Sequence, residues 1–161
     1  MPSVQTDTEH PVQTSRRRLT YVFTPKHHGG DQNASRWLTE LPLDEEFAVF
    51  DRADGILAAA PTDDRQVADT AGNLYGYDLL NSGFQHLREL GTWHQQMAEF
   101  PVQSQGAVWH GYPIWPIDRD VAPARYKGHK CRPSAEVFDR MMQLGDIDNG
   151  QLKRLKSGDW V

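Results

Sequence analysis

Apolar residues along this chain fall in short blocks separated by glycine, proline and charge. Leu19-Thr20-Tyr21-Val22-Phe23-Thr24 is β-branched and aromatic, which predicts a strand within residues 18–24, ended by Pro25. Asn33 or Ser35 can cap a short helix through Glu40 that presents Trp37, Leu38 and Leu41. Glu46-Phe47-Ala48-Val49-Phe50-Asp51 reads as the next strand. Asp54-Gly55 then reads as a hairpin turn, because glycine accepts positive φ, with Ile56 to Ala60 as the return strand. Pro61 to Asn73 is small, acidic and turn-rich, the composition of an exposed loop.

From Tyr77 to Phe100 the period changes. Leu79, Leu80, Phe84, Leu87, Leu90 and Met97 recur at helical spacing, which predicts one helix, or two meeting near Gly91. Val102 to Val108 reads as a further strand. Pro133-Ser134 opens a helix carrying Val137, Phe138, Met141, Met142 and Leu144, ended by Gly145. Asp148 with Gln151 has the form of a capping box before a last helix carrying Leu152 and Leu155.

These elements predict an α+β fold. A small antiparallel sheet from residues 18–24, 46–60 and 102–109 is covered by a central helical region (77–100) and a C-terminal helical hairpin (134–157). The order lacks the regular strand–helix alternation of a parallel α/β sheet. Residues 1–15 are polar and aperiodic and read as a disordered N-terminal tail, leaving 16–161 as a single domain.

Composition adds the class of molecule. Hydrophobic residues make up 38% of 161 positions, with five Trp, five Tyr and six Phe, enough to build a core. The lone cysteine, Cys131, excludes an intrachain disulfide and fits a reducing, cytoplasmic setting. The longest apolar run, Gly55 to Pro61, is far short of a membrane span, and the N-terminus lacks the basic and apolar regions of a signal peptide. The expectation is a soluble protein with no membrane partner.

Net charge is −5, which argues against general affinity for nucleic acid. The charge is uneven: from Glu40 to Asp78 the acidic residues face only Arg52 and Arg65, whereas bases outnumber acids after Pro123.

Trp109-His110-Gly111-Tyr112-Pro113-Ile114-Trp115-Pro116-Ile117 is the most unusual segment. Its prolines and glycine forbid regular helix and hold the aromatic rings at low entropic cost. Trp109, Tyr112 and Trp115 are therefore candidate ligand contacts, the alternative being rings packed on the core. His94 and His110 each follow a tryptophan, and Glu99 lies between them. If they share a cleft they form an acid–base set near neutral pH.

Arg125-Tyr126-Lys127-Gly128-His129-Lys130-Cys131-Arg132 is basic, making Arg125 and Lys127 candidate contacts for phosphate or an acidic partner. The weaker patterns point to structure first. His27-His28-Gly29-Gly30 lacks Walker residues, and adjacent histidines diverge too far to share an ion. Asp51 and Asp54 suit a turn as well as Mg²⁺. His129-x-Cys131 lacks the cysteine pairs of zinc sites, so no metal site is expected.

No catalytic or cofactor motif is legible. The leading expectation is a binding module that recognises a protein or small ligand through residues 109–117. The alternatives are a hydrolase or nuclease using His94, His110 and Glu99, and nucleic-acid binding through 125–132 and the last helix.

Overall fold

The structure is a computed structural model and describes residues 12–14, 19–24, 27–28, 36–55, 64–81, 85–92, 94–114 and 133–157. Within them the fold is α+β: a three-stranded antiparallel sheet between one helix and a C-terminal helix pair.

A short antiparallel pair comes first, β1 (Val12–Gln13) with β2 (Thr20–Tyr21). It includes residues that the sequence pattern assigns to the tail. Thr14 is buried, and its hydroxyl donates to Asp54 Oδ2 at 2.8 Å. Residues 1–11 lie outside the described residues.

Helix α1 (Leu43–Ala53) stands where a strand is expected at 46–51. Its window extends further: Pro42 precedes it, and Asp44, Glu45 and Glu46 fill the first turn, complementing the helix dipole. Glu46, Phe47, Val49, Phe50 and Ala53 form one buried face. The glycine signal was real but belongs to a helix end. Gly55 has φ 103 and its N–H donates to Arg52 O at 3.0 Å, closing the helix instead of turning a hairpin. The return strand expected at 56–60 lies outside the described residues.

The central helix expected over 77–100 is replaced by strands. β3 (Leu74–Gly76), β6 (Met97–Phe100) and β7 (Tyr112–Ile114) form the main sheet in the order β3–β6–β7. β4 (Leu79–Asn81) and β5 (Gln85–Leu87) pair separately. The helical spacing of the leucines is overridden by a chain reversal after β5. Leu90 and Gly91 both donate to Gln95 O, and His94 takes φ 63. A Cβ at Gly91 would lie 2.2 Å from Gln95 Oε1 and 2.7 Å from Pro113 Cβ, so the reversal needs glycine there. The strand expected at 102–109 does not form. Residues 101–108 make a loop with a turn at 105–106, and only Trp109 bridges to Tyr21.

The sheet divides two cores by simple alternation. Leu74, Ala98 and Phe100 face α1 with Tyr21, Phe23, Trp37, Phe50 and Trp109. Tyr75, Met97 and Ile114 face the helix pair, where Val137, Phe138 and Met141 of α2 (Ala135–Gln143) meet Leu155 of α3 (Asn149–Lys156). Every residue of β3 and β6 is buried, as a middle layer requires. The helix pair forms as expected: Gly145 takes φ 78 after α2, and Asp148 and Gln151 make both bonds of the capping box.

At Gly76 strand and helix meet. A Cβ there would lie 2.5 Å from Val49 Cγ1 and 2.8 Å from the Val49 carbonyl oxygen of α1. The obstruction is partly backbone, so a rotamer change cannot relieve it. Gly76→Ala is expected to cost about 1–3 kcal/mol through overpacking. It should appear as a lower urea midpoint with an unchanged slope, and an unchanged midpoint would contradict this packing.

Candidate functional site

The register places Tyr75, Glu99 and Tyr112 directly opposite one another across β3, β6 and β7. Glu99 is 1% exposed in the middle strand. A carboxylate in that position must be compensated by hydrogen bonds. Tyr75 donates to Glu99 Oε2 at 3.3 Å, and the Tyr112 hydroxyl bonds the same side chain. The row continues outward from Tyr75, whose hydroxyl also lies 3.1 Å from Asp69 Oδ2. One phenolic proton is thus shared between two carboxylates.

Burial pushes the Tyr75 hydroxyl far above its ordinary pKa, and the charges of Glu99 and Asp69 push it further. Tyr112 is raised by burial and then by Glu99. Asp69 goes the other way. Its partial burial is outweighed by bonds from Asn73, Tyr75 and the Ala71 amide, which hold the carboxyl below its usual value.

At the far end of the row, one imidazole meets Tyr112 and a second stacks on the first. The His27 ring lies 5.1 Å from the Tyr112 ring and stacks on His110 at 6.5 Å with an interplanar angle of 11°. His27 is buried, whereas His110 and Tyr112 are half-buried. Backbone bonds hold this end in place: Trp37 N donates to His27 O, and Trp37 Nε1 donates to Gly111 O.

The neighbouring histidine turns to the other core. His28 Nδ1 lies 2.5 Å from Thr24 O, and Nε2 lies 2.5 Å from Glu46 Oε1. Both contacts favour the protonated ring, which can donate from each nitrogen. Tyr21 donates to the other Glu46 oxygen at 2.7 Å. Burial lowers the His28 pKa, but the Glu46 bond and charge and the Thr24 carbonyl more than reverse this, leaving it raised. The divergence expected of adjacent histidines is therefore observed.

The sequence candidates separate in space. Glu99 and Tyr112 come together with Tyr75, while His110 stacks on His27, whose ring meets Tyr112. His94 is 77% exposed at its side chain, and its Nδ1 pairs with Glu89 Oε1 at 2.9 Å. Trp109 is a core residue, 6% exposed, with its ring 5.8 Å from Phe50. Trp115, Arg125 and Lys127 lie outside the described residues, as does Cys131. Asp54 caps α1 and accepts from Thr14, while Asp51 sits within the helix. No group of three or more His, Cys, Asp or Glu suited to a metal occurs among the described residues. On α3, Lys156 is paired with Asp139 of α2 at 2.7 Å, whereas Lys153 and Arg154 are exposed.

His27 and Tyr75 were not recognisable as site residues from sequence. Register finds Tyr75 once the short strands are known, and His27 is found only by its ring contacts with Tyr112 and His110.

Fold and site together define an α+β domain with a tyrosine–carboxylate row through its sheet and a histidine pair at one end. No protein-family model, curated protein or solved structure matches the chain. Among the described residues, no helix is long and apolar enough to cross a membrane.

Two outcomes follow from these networks. Tyr112→Phe removes a donor from buried Glu99 and is expected to lower stability by about 1–3 kcal/mol, measured by urea unfolding. A change below the error of the fit would show that the bond contributes little. His28 has a folded pKa above its unfolded value of about 6.5. Its contribution is complete below that value and is lost as pH rises through the folded pKa. The stability difference between wild type and His28→Gln should therefore shrink from pH 6 towards alkaline pH, and a difference that grows would contradict the pairing.

Proposed function

We propose that this domain is a binding module, and that its recognition surface is centred on His110 and Tyr112, at the start of the aromatic segment 109–117. One observation carries this reading: half-buried His110 stacks on buried His27, whose ring also meets half-buried Tyr112, and Tyr112 reaches the buried Glu99 carboxyl that Tyr75 also contacts. Burying Glu99 costs stability that an apolar residue at the same position would not cost. Such an arrangement is more common at functional sites than in plain cores. The rings that surround it are stiff and amphipathic, which suits recognition of a small ligand or a protein.

A second reading, a hydrolase or nuclease, is supported by the same contacts in altered form. His110 stacks on His27, which meets Tyr112, so an acid–base set would use His27 in the place assigned to His94. For nucleic-acid binding through 125–132 and the last helix, the basic stretch lies outside the described residues, and Lys153 and Arg154 of α3 are exposed. A reducing, cytoplasmic setting remains our reading from the single Cys131.

The test is a thermal-shift screen of a metabolite library and a peptide library on wild type, His110→Ala and Tyr112→Phe. The expected result is at least one compound that stabilises wild type and loses that effect in both folded variants. Compounds that stabilise all three proteins equally would refute recognition at this surface. Turnover of a bound ester or phosphodiester that is lost in His110→Ala would favour the enzyme reading over the binding module.

A further inference from the structure

A cleft of about 330 Å³ opens on the helix-pair side of β3, away from the histidine pair. It is formed where the end of α1, the β3–β4 connection and the turn after α2 converge. Arg52 and Arg65 line it, with Tyr77 between them and Val67, Leu79 and Leu144 as apolar wall.

Both guanidinium groups are fixed in the same way. Arg52 Nη1 donates to Tyr77 O at 3.1 Å and Asp78 Oδ1 at 2.8 Å. Arg65 Nη2 donates to Leu144 O at 3.2 Å and Asp146 Oδ1 at 3.4 Å. Asp146 is itself fixed by the Tyr77 hydroxyl at 2.5 Å. Among the described residues, each arginine thus spends one terminal nitrogen on a carbonyl and an aspartate. The opposite edge of each planar fork keeps its donors for another partner. A guanidinium held from behind loses little entropy on meeting a carboxylate or phosphate, and can bind it with two parallel bonds.

Charge narrows the class. Asp78 and Asp146 already balance Arg52 and Arg65, and Arg88, which approaches Asp78 at 3.4 Å, is itself paired with Glu45 at 2.7 Å. A ligand is therefore drawn by the unused N–H donors of the two forks and not by spare charge, and a dianion beside two carboxylates is disfavoured more than a monoanion. Val67, Leu79 and Leu144 then offer a surface for an apolar body. The volume lies at the low end of the roughly 300–1,000 Å³ typical of small-molecule sites.

We propose that this cleft binds a small organic monocarboxylate, its carboxylate held by Arg52 and Arg65 and its apolar body against Val67, Leu79 and Leu144. This inference is independent of the ring surface at His110 and Tyr112.

The probe is hexanoate, titrated into the full chain and followed by NMR of backbone amides and arginine Nε–H groups. Hexanamide and inorganic phosphate serve as the neutral and dianionic controls. The expected result is a saturable shift at Arg52, Arg65, Tyr77 and Leu79 with hexanoate, and none with hexanamide. Arg52→Met and Arg65→Met should each weaken hexanoate about tenfold or more, as expected for loss of a charge-assisted bond. Arg52 is half exposed, so its variant keeps the test sound if Arg65→Met loosens the helix-pair turn. No saturable shift with millimolar hexanoate would overturn the proposal. So would equal midpoints for hexanoate and hexanamide, or phosphate binding more tightly than hexanoate.

Discussion

The hydrogen bonds that hold the Glu99 carboxylate between Tyr75 and Tyr112 are the constraint on which the rest of the structure depends. They cross all three strands of the main sheet at one level. A slip of one residue in either pairing would turn a tyrosine to the other face and leave a buried carboxylate without its donor. The register is therefore set by polar chemistry as well as by packing. A buried ionic group is weak evidence for stability, but it is strongly selective among alternative pairings.

The same alternation that collects the three polar residues sorts the apolar ones. Phe100 and Ala98 face α1, while Met97 and Glu99 face α2 and α3. Close approach at Gly76 brings Val49 of α1 against β3, and the ring stack of Tyr21, Phe50 and Phe100 fills the remaining space. The second buried carboxylate, Glu46, ties α1 to the segment before it through Tyr21 and His28. On each side of the sheet a buried glutamate thus accepts from a tyrosine. The half-buried rings of His110 and Tyr112 and the arginine-lined cleft lie at places that this frame fixes.

How much of this was legible in the sequence depended on whether a signal was local. The C-terminal pair was legible because Gly145 and the Asp148–Gln151 box act within a few residues. The α+β class was legible from the mixture of periods. Residues 46–51 look like a strand only if Pro42 and the acidic first turn are left out of the window. The leucines between 79 and 97 keep helical spacing, yet Gly91 and the positive φ of His94 reverse the chain, and long-range pairing with β7 decides the outcome. The site was legible in part. Glu99, His110 and Tyr112 were candidates, whereas Tyr75 and His27 join them through cross-strand register and a loop that returns to β7, neither of which is encoded nearby. Trp109 stood out as a possible contact for the reason that placed it in the core, its large apolar surface.

The central claim, that the buried Glu99 carboxyl is held between two phenols, is tested most directly by alkaline titration of ¹³C-labelled tyrosine Cζ signals. In the wild type, Tyr75 and Tyr112 should remain un-ionised well above the ordinary phenol pKa of about 10 until the fold is lost. In Glu99→Gln both should ionise at lower pH, because a neighbouring negative charge has been removed. Ionisation of Tyr112 near its ordinary pH in the folded wild type, or midpoints unchanged by Glu99→Gln, would contradict the account.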